Sequence, residues 1–288
     1  MSEERVPGRV AAGVEVSRWY RLDLEYDGTR FSGWARQPGR RTVEGEVERA
    51  LETLLRRPVR VQVAGRTDRG VHACGQVASF AIDAGVDVRR LHLGLNAVLP
   101  EDVAVRAVSE APAGFDARTA TARTYRYRLW LSPARPALAR HVVWHVHEAL
   151  DTGLLEAAAG LFIGGRDWSA LTPSADLYHS CVREVLAAAW RRMPSPPVCA
   201  VPTAGGAASG WEPQEWVFEV TANSFLHMMV RVMVGSTVDA AAGRLTLDDL
   251  RTGIESGERC RMGRTAPARG LCLVAVAYEL LPPAAADA

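Results

Sequence analysis

The residues with the greatest capacity for chemistry lie in one short cluster in the first third of the chain. The cluster runs Gly65-Arg66-Thr67-Asp68-Arg69-Gly70-Val71-His72-Ala73. Its glycines allow a ligand to approach the backbone closely. Because neighbouring cations favour the charged form of a carboxylate, Asp68 is expected to be ionised, a poor general base but a competent nucleophile. The alternative is that Asp68 caps a turn and pairs with Arg66 or Arg69.

A second candidate lies far along the chain, in the apolar stretch from Phe225 to Ala242. Apolar residues surround this predicted helix on all sides, which is typical of a buried helix. Arg231 lies in its middle, and a buried guanidinium without a partner costs several kcal/mol. We therefore expect a carboxylate beside Arg231, with Asp68 as the best candidate. A pair with another remote acid, or a helix end that reaches solvent, is the alternative.

The third candidate is the segment Thr124-Tyr125-Arg126-Tyr127-Arg128. On a strand, Tyr125 and Tyr127 share one face while Arg126 and Arg128 take the other. An aromatic ring beside cations suits the binding of a nucleobase and its phosphates. The alternative is that the tyrosines fill a core and the arginines face water.

A thiol or metal hydrolase that uses Cys74 with His72 is a weaker hypothesis. These residues are two apart and would share a face of a strand, but no third ligand or orienting group has a recognisable spacing. The five cysteines form no CxxC pair, which favours free thiols in a reducing cytosol.

Composition bounds the class of protein. Of the 288 residues, 48% are apolar, as in an ordinary globular protein. The net charge of +1 is mild evidence against a nucleic-acid binder, although binding needs only a local basic patch. All 34 of the Lys and Arg residues are arginine, which suits bidentate phosphate contacts; a genome biased toward Arg codons is the alternative explanation. No secretory signal and no apolar stretch of about 18 residues is visible, so we expect a cytoplasmic protein.

Hydrophobic periodicity predicts an α+β fold in two similar halves. Strands are predicted over residues 20–26, 59–63, 76–82, 103–108, 124–131, 142–146, 182–190, 216–221 and 271–278. Helices are predicted over 43–55, with Thr42 as N-cap, and over 88–95, 151–162, 225–242 and 247–256. Residues 1–17 are predicted to be a flexible tail, 18–117 one half, 118–282 the other half, and 283–288 a second tail. A Pro-, Gly-, Ala- and Ser-rich stretch over 193–214 is predicted to be a mobile insertion.

Short motifs spread over most of the chain resemble one known family. In chain order they are Glu25-Tyr26-Asp27-Gly28-Thr29, Gly33-Trp34, Arg36-Gln37, Ala64-Gly65-Arg66-Thr67-Asp68, Gly70-Val71-His72, Gly75-Gln76-Val77, Asn96-Ala97, Leu99-Pro100, Phe115-Asp116-Ala117-Arg118, Tyr125-Arg126-Tyr127, Asn223-Ser224-Phe225, Met229-Val230-Arg231, Val234-Gly235, Ala266-Pro267 and Gly270-Leu271. Their order from about Tyr20 to Tyr278 resembles the tRNA pseudouridine synthase A (TruA) family.

The resemblance implies a pseudouridine synthase fold, in which two α/β halves with antiparallel sheets join around a central basic cleft. It also implies a homodimer that binds tRNA across both subunits and isomerises uridines at positions 38 to 40 in the anticodon arm, with no metal and no organic cofactor. Asp68 matches the family's catalytic aspartate and Arg231 the arginine that pairs with it. Tyr125 matches the tyrosine that contacts the target uracil, and we expect it to stack on the base and then to assist removal of the C5 proton as a catalytic residue. Leu271 matches an apolar residue packed against the base, and Arg66 an arginine that holds the target nucleotide out of the stack.

The chain departs from the family pattern at three places. Arg69 stands where the family commonly has a small residue, Trp168-Ser169-Ala170-Leu171 replaces a more aromatic stretch, and the insertion over 193–214 has no counterpart. A paralogue that acts on another RNA or on a free uridine nucleotide, and a non-catalytic RNA-binding protein with the same fold, are the alternatives.

Overall fold

The computed structural model describes residues 17–83, 85–194 and 213–278. The predicted tails and the predicted insertion over 193–214 lie outside the described residues, except for one or two residues at their edges. The division into two halves at residue 118 therefore stays a prediction.

One ten-stranded sheet forms the centre of the molecule. Its strands are β1 (Arg18–Tyr26), β2 (Gln62–Val63), β3 (His72–Ile82), β4 (Val103–Ala111), β5 (Ala122–Leu131), β6 (Trp144–Val146), β7 (Gly164–Asp167), β8 (Val182–Arg192), β9 (Gln214–Ala222) and β10 (Leu271–Ala277). The strand order is β4-β1-β3-β10-β5-β9-β8-β7, with β2 paired to β3 and β6 paired to β5. The pairing is antiparallel apart from β3–β10 and β5–β6. The predicted α+β class is confirmed.

Strand β10 joins the two parts of this sheet and brings distant residues together. It pairs in parallel with β3, where Cys272 lies opposite His72, and antiparallel with β5, where Leu271 lies opposite Tyr127 and Leu273 opposite Tyr125. Strand β3 begins at His72, directly after the loop that carries Asp68. This loop, Leu271 on β10 and Tyr125 on β5 therefore meet at the middle of the sheet.

Five α-helices accompany the sheet within the described residues: α1 (Val43–Leu55), α2 (Val88–Val98), α3 (Thr152–Gly160), α4 (Met229–Ala241) and α5 (Leu247–Ser256). The predicted cap of α1 is confirmed, since the side chain of Thr42 accepts a hydrogen bond from the Gly45 backbone N–H. The prediction that the helix around Arg231 is buried is also confirmed. Of the α4 residues, all of which the structure describes, only Arg231 is not fully buried.

The clearest differences between the predicted and the observed elements concern α4, β7 and β3. Helix α4 begins at Met229 rather than at residue 225, because Met228 takes a left-handed conformation with φ of 61° that a helix cannot contain. Strand β7 was missed, because the pair Gly164-Gly165 indicates a helix stop rather than a strand. Strand β3 begins at His72, four residues before the predicted start.

Close packing at Gly235 generates a stability prediction. A Cβ atom at this position in α4 would collide with the Arg264 carbonyl group. We expect Gly235→Ala to lower the free energy of unfolding by about 1–3 kcal/mol, because a packed site accommodates an added methyl only by moving backbone. Urea denaturation measures the change.

The control is Gly160→Ala, at the exposed end of α3 where no atom lies within 4 Å of the added Cβ. It should be neutral or stabilising by up to about 1 kcal/mol, because alanine is the better helix former. Equal stability of the two variants would contradict the tight contact between α4 and Arg264.

Candidate active site

A cleft of about 740 Å³ opens beside the middle of the sheet. Its wall is formed by the segments 32–40, 64–71 and 224–231 together with Tyr125 and Leu271. All five residues predicted for the site, namely Arg66, Asp68, Tyr125, Arg231 and Leu271, line this one cleft.

The loop that carries Asp68 is held by hydrogen bonds on its N-terminal side. The Thr67 carbonyl accepts from the Trp34 backbone N–H at 2.9 Å, and the Thr67 hydroxyl is 2.8 Å from the buried Tyr26 hydroxyl. The Gln76 amide donates to the Gly65 carbonyl at 2.7 Å. With its backbone fixed in this way, Asp68 presents a carboxylate that is 25% exposed in the cleft.

Arg231 is the ion-pair partner of Asp68. Its Nη1 atom lies 3.9 Å from Oδ2 of Asp68, and its side chain is 15% exposed. Its Nε donates to the Ala266 carbonyl at 2.8 Å, and its own carbonyl accepts from the Ala266 N–H at 2.9 Å. Among the described residues, no carboxylate other than Asp68 lies within 4.0 Å of the guanidinium. Asp68 is therefore the carboxylate partner that was predicted for Arg231.

The segment that supports Arg231 is itself tied to α4. Asp239 accepts from the Arg264 backbone N–H at 2.9 Å and forms ion pairs with the side chains of Arg264 and Arg244. Burial opposes ionisation of Asp239, but these hydrogen bonds hold the pKa of its carboxyl below its usual value. The charged carboxylate therefore fixes the chain just ahead of Ala266.

Tyr125 and Leu271 supply the apolar wall of the cleft. Both are buried, and the Tyr125 ring packs edge-on against Phe225 with centroids 5.1 Å apart. Burial raises the pKa of the Tyr125 hydroxyl, so the phenol stays neutral near neutral pH. Tyr127 lies on the same strand face and donates to the Pro267 carbonyl at 2.7 Å. As predicted, the arginines of this strand face the other way, and Arg126 and Arg128 pair with Glu219 and Glu215.

The mouth of the cleft is positively charged. Arg40, Arg66 and Arg69 line it and are exposed. Within the part of the chain that the structure describes, no carboxylate lies within 4.0 Å of any of the three. Exposed guanidiniums without counter-charges are available to bind phosphate groups.

Two polar residues of the site were not identified from the sequence. His227 places Nε2 at 3.7 Å from Oδ1 of Asp68. Arg123 donates to the carbonyls of Ala64 at 2.7 Å and Asn223 at 2.6 Å, which begin two of the cleft-lining segments. Burial lowers the pKa of its guanidinium. The sequence offers one weak signal for each residue. Arg123 lies close to Tyr125 in the sequence, and His227 is a histidine within an apolar run.

The alternative use of Cys74 with His72 gains no support from the contacts of the imidazole. Nδ1 of His72 accepts from the Gly28 backbone N–H at 3.1 Å, and Nε2 lies 3.0 Å and 3.1 Å from the carbonyls of His141 and Arg269. Both ring nitrogens are therefore engaged away from the thiol. The described residues contain no group of three or more His, Cys, Asp or Glu side chains able to hold a metal ion.

The cleft combines a carboxylate nucleophile candidate, a guanidinium partner and an arginine-rich mouth, as an enzyme acting on a phosphate-bearing substrate requires. The sequence profile of the tRNA pseudouridine synthase family matches residues 24–118 and 158–279. The chain belongs to this family, whose members are isomerases, so the expected family membership and enzyme class are confirmed. No helix in the described ranges is long and apolar enough to cross a membrane.

Individual relatives are similar over nearly the whole chain. The tRNA pseudouridine synthase A of Solidesulfovibrio magneticus is 41% identical over 268 residues, which are 90% of each chain. The enzyme of the same name from Methylobacterium nodulans is 40% identical over 90% of this chain and 95% of its own. That from Acetivibrio thermocellus is 36% identical over 90% of this chain and 98% of its own.

The contacts of Arg123 generate the prediction for this site. In Arg123→Lys the single ammonium cannot reach the Ala64 and Asn223 carbonyls together, so one segment loses its donor. We expect the free energy of unfolding to fall by about 0.5–1.5 kcal/mol, the usual net contribution of one intramolecular hydrogen bond. Thermal and urea unfolding measure it.

The matched control is Arg251→Lys, whose parent side chain is 55% exposed and pairs with Asp248 on the surface of α5. It should change the free energy of unfolding by less than about 0.5 kcal/mol. If Arg123→Lys is no less stable than this control, the carbonyl contacts of Arg123 do not hold the two segments.

Proposed function

We propose that this protein isomerises uridine to pseudouridine at positions 38 to 40 in the anticodon arm of tRNA, with Asp68 as the nucleophile. Arg231 pairs with the Asp68 carboxylate and holds it in position. Tyr125 contacts the target uracil and Leu271 packs against it. Arg66 holds the target nucleotide out of the stack.

The observation that carries the proposal is the position of the Asp68 carboxylate. It lies in a cleft large enough for a nucleoside, 3.9 Å from the Arg231 guanidinium. A carboxylate attacks carbon directly, and the guanidinium beside it helps to orient its oxygen atoms. A partly dry cleft strengthens this electrostatic interaction relative to water.

The reaction rearranges bonds within one nucleotide. The N1–C1′ bond breaks, the uracil turns, and a C5–C1′ bond forms, while C5 loses a proton and N1 gains one. The reaction is balanced without a co-substrate. Asp68 attacks C1′ of the ribose or C6 of the uracil, and both routes use the same carboxylate. The target base must first leave the stack, at a cost of a few kcal/mol.

Tyr125 fits a binding role better than a resident base. Because burial raises its pKa, the side chain offers a neutral ring for stacking and a hydroxyl group, but not a phenolate. The detached uracil must stay trapped until it rejoins the ribose, and the buried Leu271 and Tyr125 side chains provide a wall for it.

The tRNA substrate is supported by the family and by the names of the relatives, which are tRNA pseudouridine synthases. The anticodon arm and a homodimer that binds tRNA across both subunits are inferred from the resemblance of the motifs. A cytoplasmic location is inferred from the free cysteines. The test is incubation of the purified chain with unmodified tRNA that carries uridine at 38 to 40, followed by pseudouridine mapping. Modification elsewhere in the RNA, or of free uridine monophosphate instead, would overturn the substrate proposal.

Replacement of the nucleophile is the sharpest test of the mechanism. We expect Asp68→Asn to abolish pseudouridine formation, because an amide cannot attack carbon, while the affinity for tRNA changes by less than about threefold, since phosphate contacts dominate affinity. Mapping and filter binding measure the two properties.

The control for this test is Asp248→Asn, which removes an exposed carboxylate on α5 that is remote from the cleft lining. It should retain full activity. Wild-type protein that binds tRNA but makes no pseudouridine would instead indicate a non-catalytic RNA-binding protein.

The unpaired arginines at the mouth predict a steep salt dependence of tRNA binding. Each neutralised phosphate contributes about 0.7–0.9 to the slope of log K against log salt concentration. We expect Arg69→Ala to reduce the magnitude of that slope by about 1, because one phosphate contact is lost. Filter binding between low and moderate salt measures it.

Arg251→Ala, which removes an arginine paired on α5, should leave the slope unchanged. A wild-type slope near zero, or an equal slope in Arg69→Ala, would rule out phosphate binding by Arg69.

A further inference from the structure

We propose that His227 is a second positioning residue for the Asp68 carboxylate. This inference rests on the proposed function, because it assigns a role in the same reaction. It concerns the oxygen atom of Asp68 that does not face Arg231.

The two oxygens of the Asp68 carboxylate have different neighbours. Nη1 of Arg231 lies 3.9 Å from Oδ2, and Nε2 of His227 lies 3.7 Å from Oδ1. Among the described residues, these are the two basic side chains within 4.0 Å of the carboxylate. A carboxylate that is contacted at one oxygen only can rotate about its Cβ–Cγ bond. Contacts at both oxygens restrict that rotation and set the direction of attack.

The imidazole of His227 is itself oriented. The Ser174 hydroxyl lies 3.2 Å from Nδ1, and the His227 backbone N–H donates to the Tyr178 hydroxyl at 2.8 Å. When Ser174 donates to Nδ1, the neutral ring carries its proton on Nε2, the atom that faces Asp68. Nε2 is then the ring nitrogen that is free to donate to Oδ1. Arg66 and Arg69 line the same cleft and add positive charge near it.

The backbone after His227 is shaped to allow this contact. Met228 takes a left-handed conformation, with φ of 61°, which is unfavourable for a residue with a side chain. This residue separates the segment of His227 from α4, which begins at Met229 and carries Arg231, the other residue that faces Asp68. Strained backbone of this kind is common at functional sites.

Both contacts are longer than a direct charge-assisted hydrogen bond, which is about 2.7–2.9 Å. Catalytic contacts are often long in a free enzyme and shorten in the substrate complex. When a flipped nucleotide fills the cleft, we expect His227 and Arg231 to move to hydrogen-bonding distance of the Asp68 carboxylate.

The test compares two substitutions of His227 in single-turnover reactions with saturating tRNA. His227→Leu removes the donor, and we expect the rate of pseudouridine formation to fall by about 10- to 100-fold, as for loss of a hydrogen bond to a charged group. The Kd for tRNA should change by less than about twofold. His227→Gln places an amide N–H near the position of Nε2, and it should restore the rate to within about threefold of wild type.

Two further variants separate positioning from general structural damage. Ser174→Ala should slow the reaction by a smaller factor, because the ring remains but is less firmly oriented. His147→Leu, at an exposed histidine outside the cleft lining, should match the wild type. Thermal unfolding of each variant reports on its fold.

The possible results distinguish this inference from the proposed function. Wild-type protein that makes no pseudouridine overturns both. An active wild type with an unchanged rate in His227→Leu, or with His227→Gln as slow as His227→Leu, overturns the role of His227 alone. If His227→Leu weakens tRNA binding but leaves the rate of pseudouridine formation unchanged, that result would also overturn it.

Discussion

The rest of the structure must bring Asp68 and Arg231 together as an ion pair. Its members come from a loop before β3 and from a helix near the end of the chain, so neither segment alone creates the site. The two meet because β10 enters the middle of the sheet, between β3 and β5. A charge in a partly buried site is stabilised by an opposite charge beside it. The long-range topology is therefore a condition for the chemistry as well as for the fold.

The site is held mainly by side chains that bind backbone groups around it. Gln76 and Arg123 fix the carbonyls at the start of the Asp68 loop, and Asp239 fixes the segment that contacts Arg231. Because these polar side chains bind main-chain partners, they immobilise the walls of the cleft. The side chains that face the cleft stay available for a ligand.

Much of the fold and the site could be predicted from the sequence, and the failures have physical causes. Alternation along β1 and the cap at Thr42 are local signals, and both appear in the structure. The Asp68–Arg231 contact could be inferred because a buried guanidinium needs a counter-charge. His227 gave no such signal, since its role depends on the left-handed turn at Met228, which no local residue preference indicates. Arg123 was missed because carbonyl contacts depend on tertiary structure alone.

The small net charge is compatible with nucleic-acid binding because the acidic residues are unevenly placed. Asp102 pairs with Arg41 and Arg30, and Glu215 and Glu219 pair with the arginines of β5. These pairs cancel charge away from the cleft. At its mouth, Arg40, Arg66 and Arg69 have no carboxylate within 4.0 Å among the described residues. A phosphate responds to the local field, which is screened beyond about 10 Å at ordinary salt concentrations. The distribution of the arginines, rather than their surplus, therefore determines whether the cleft attracts an anionic substrate.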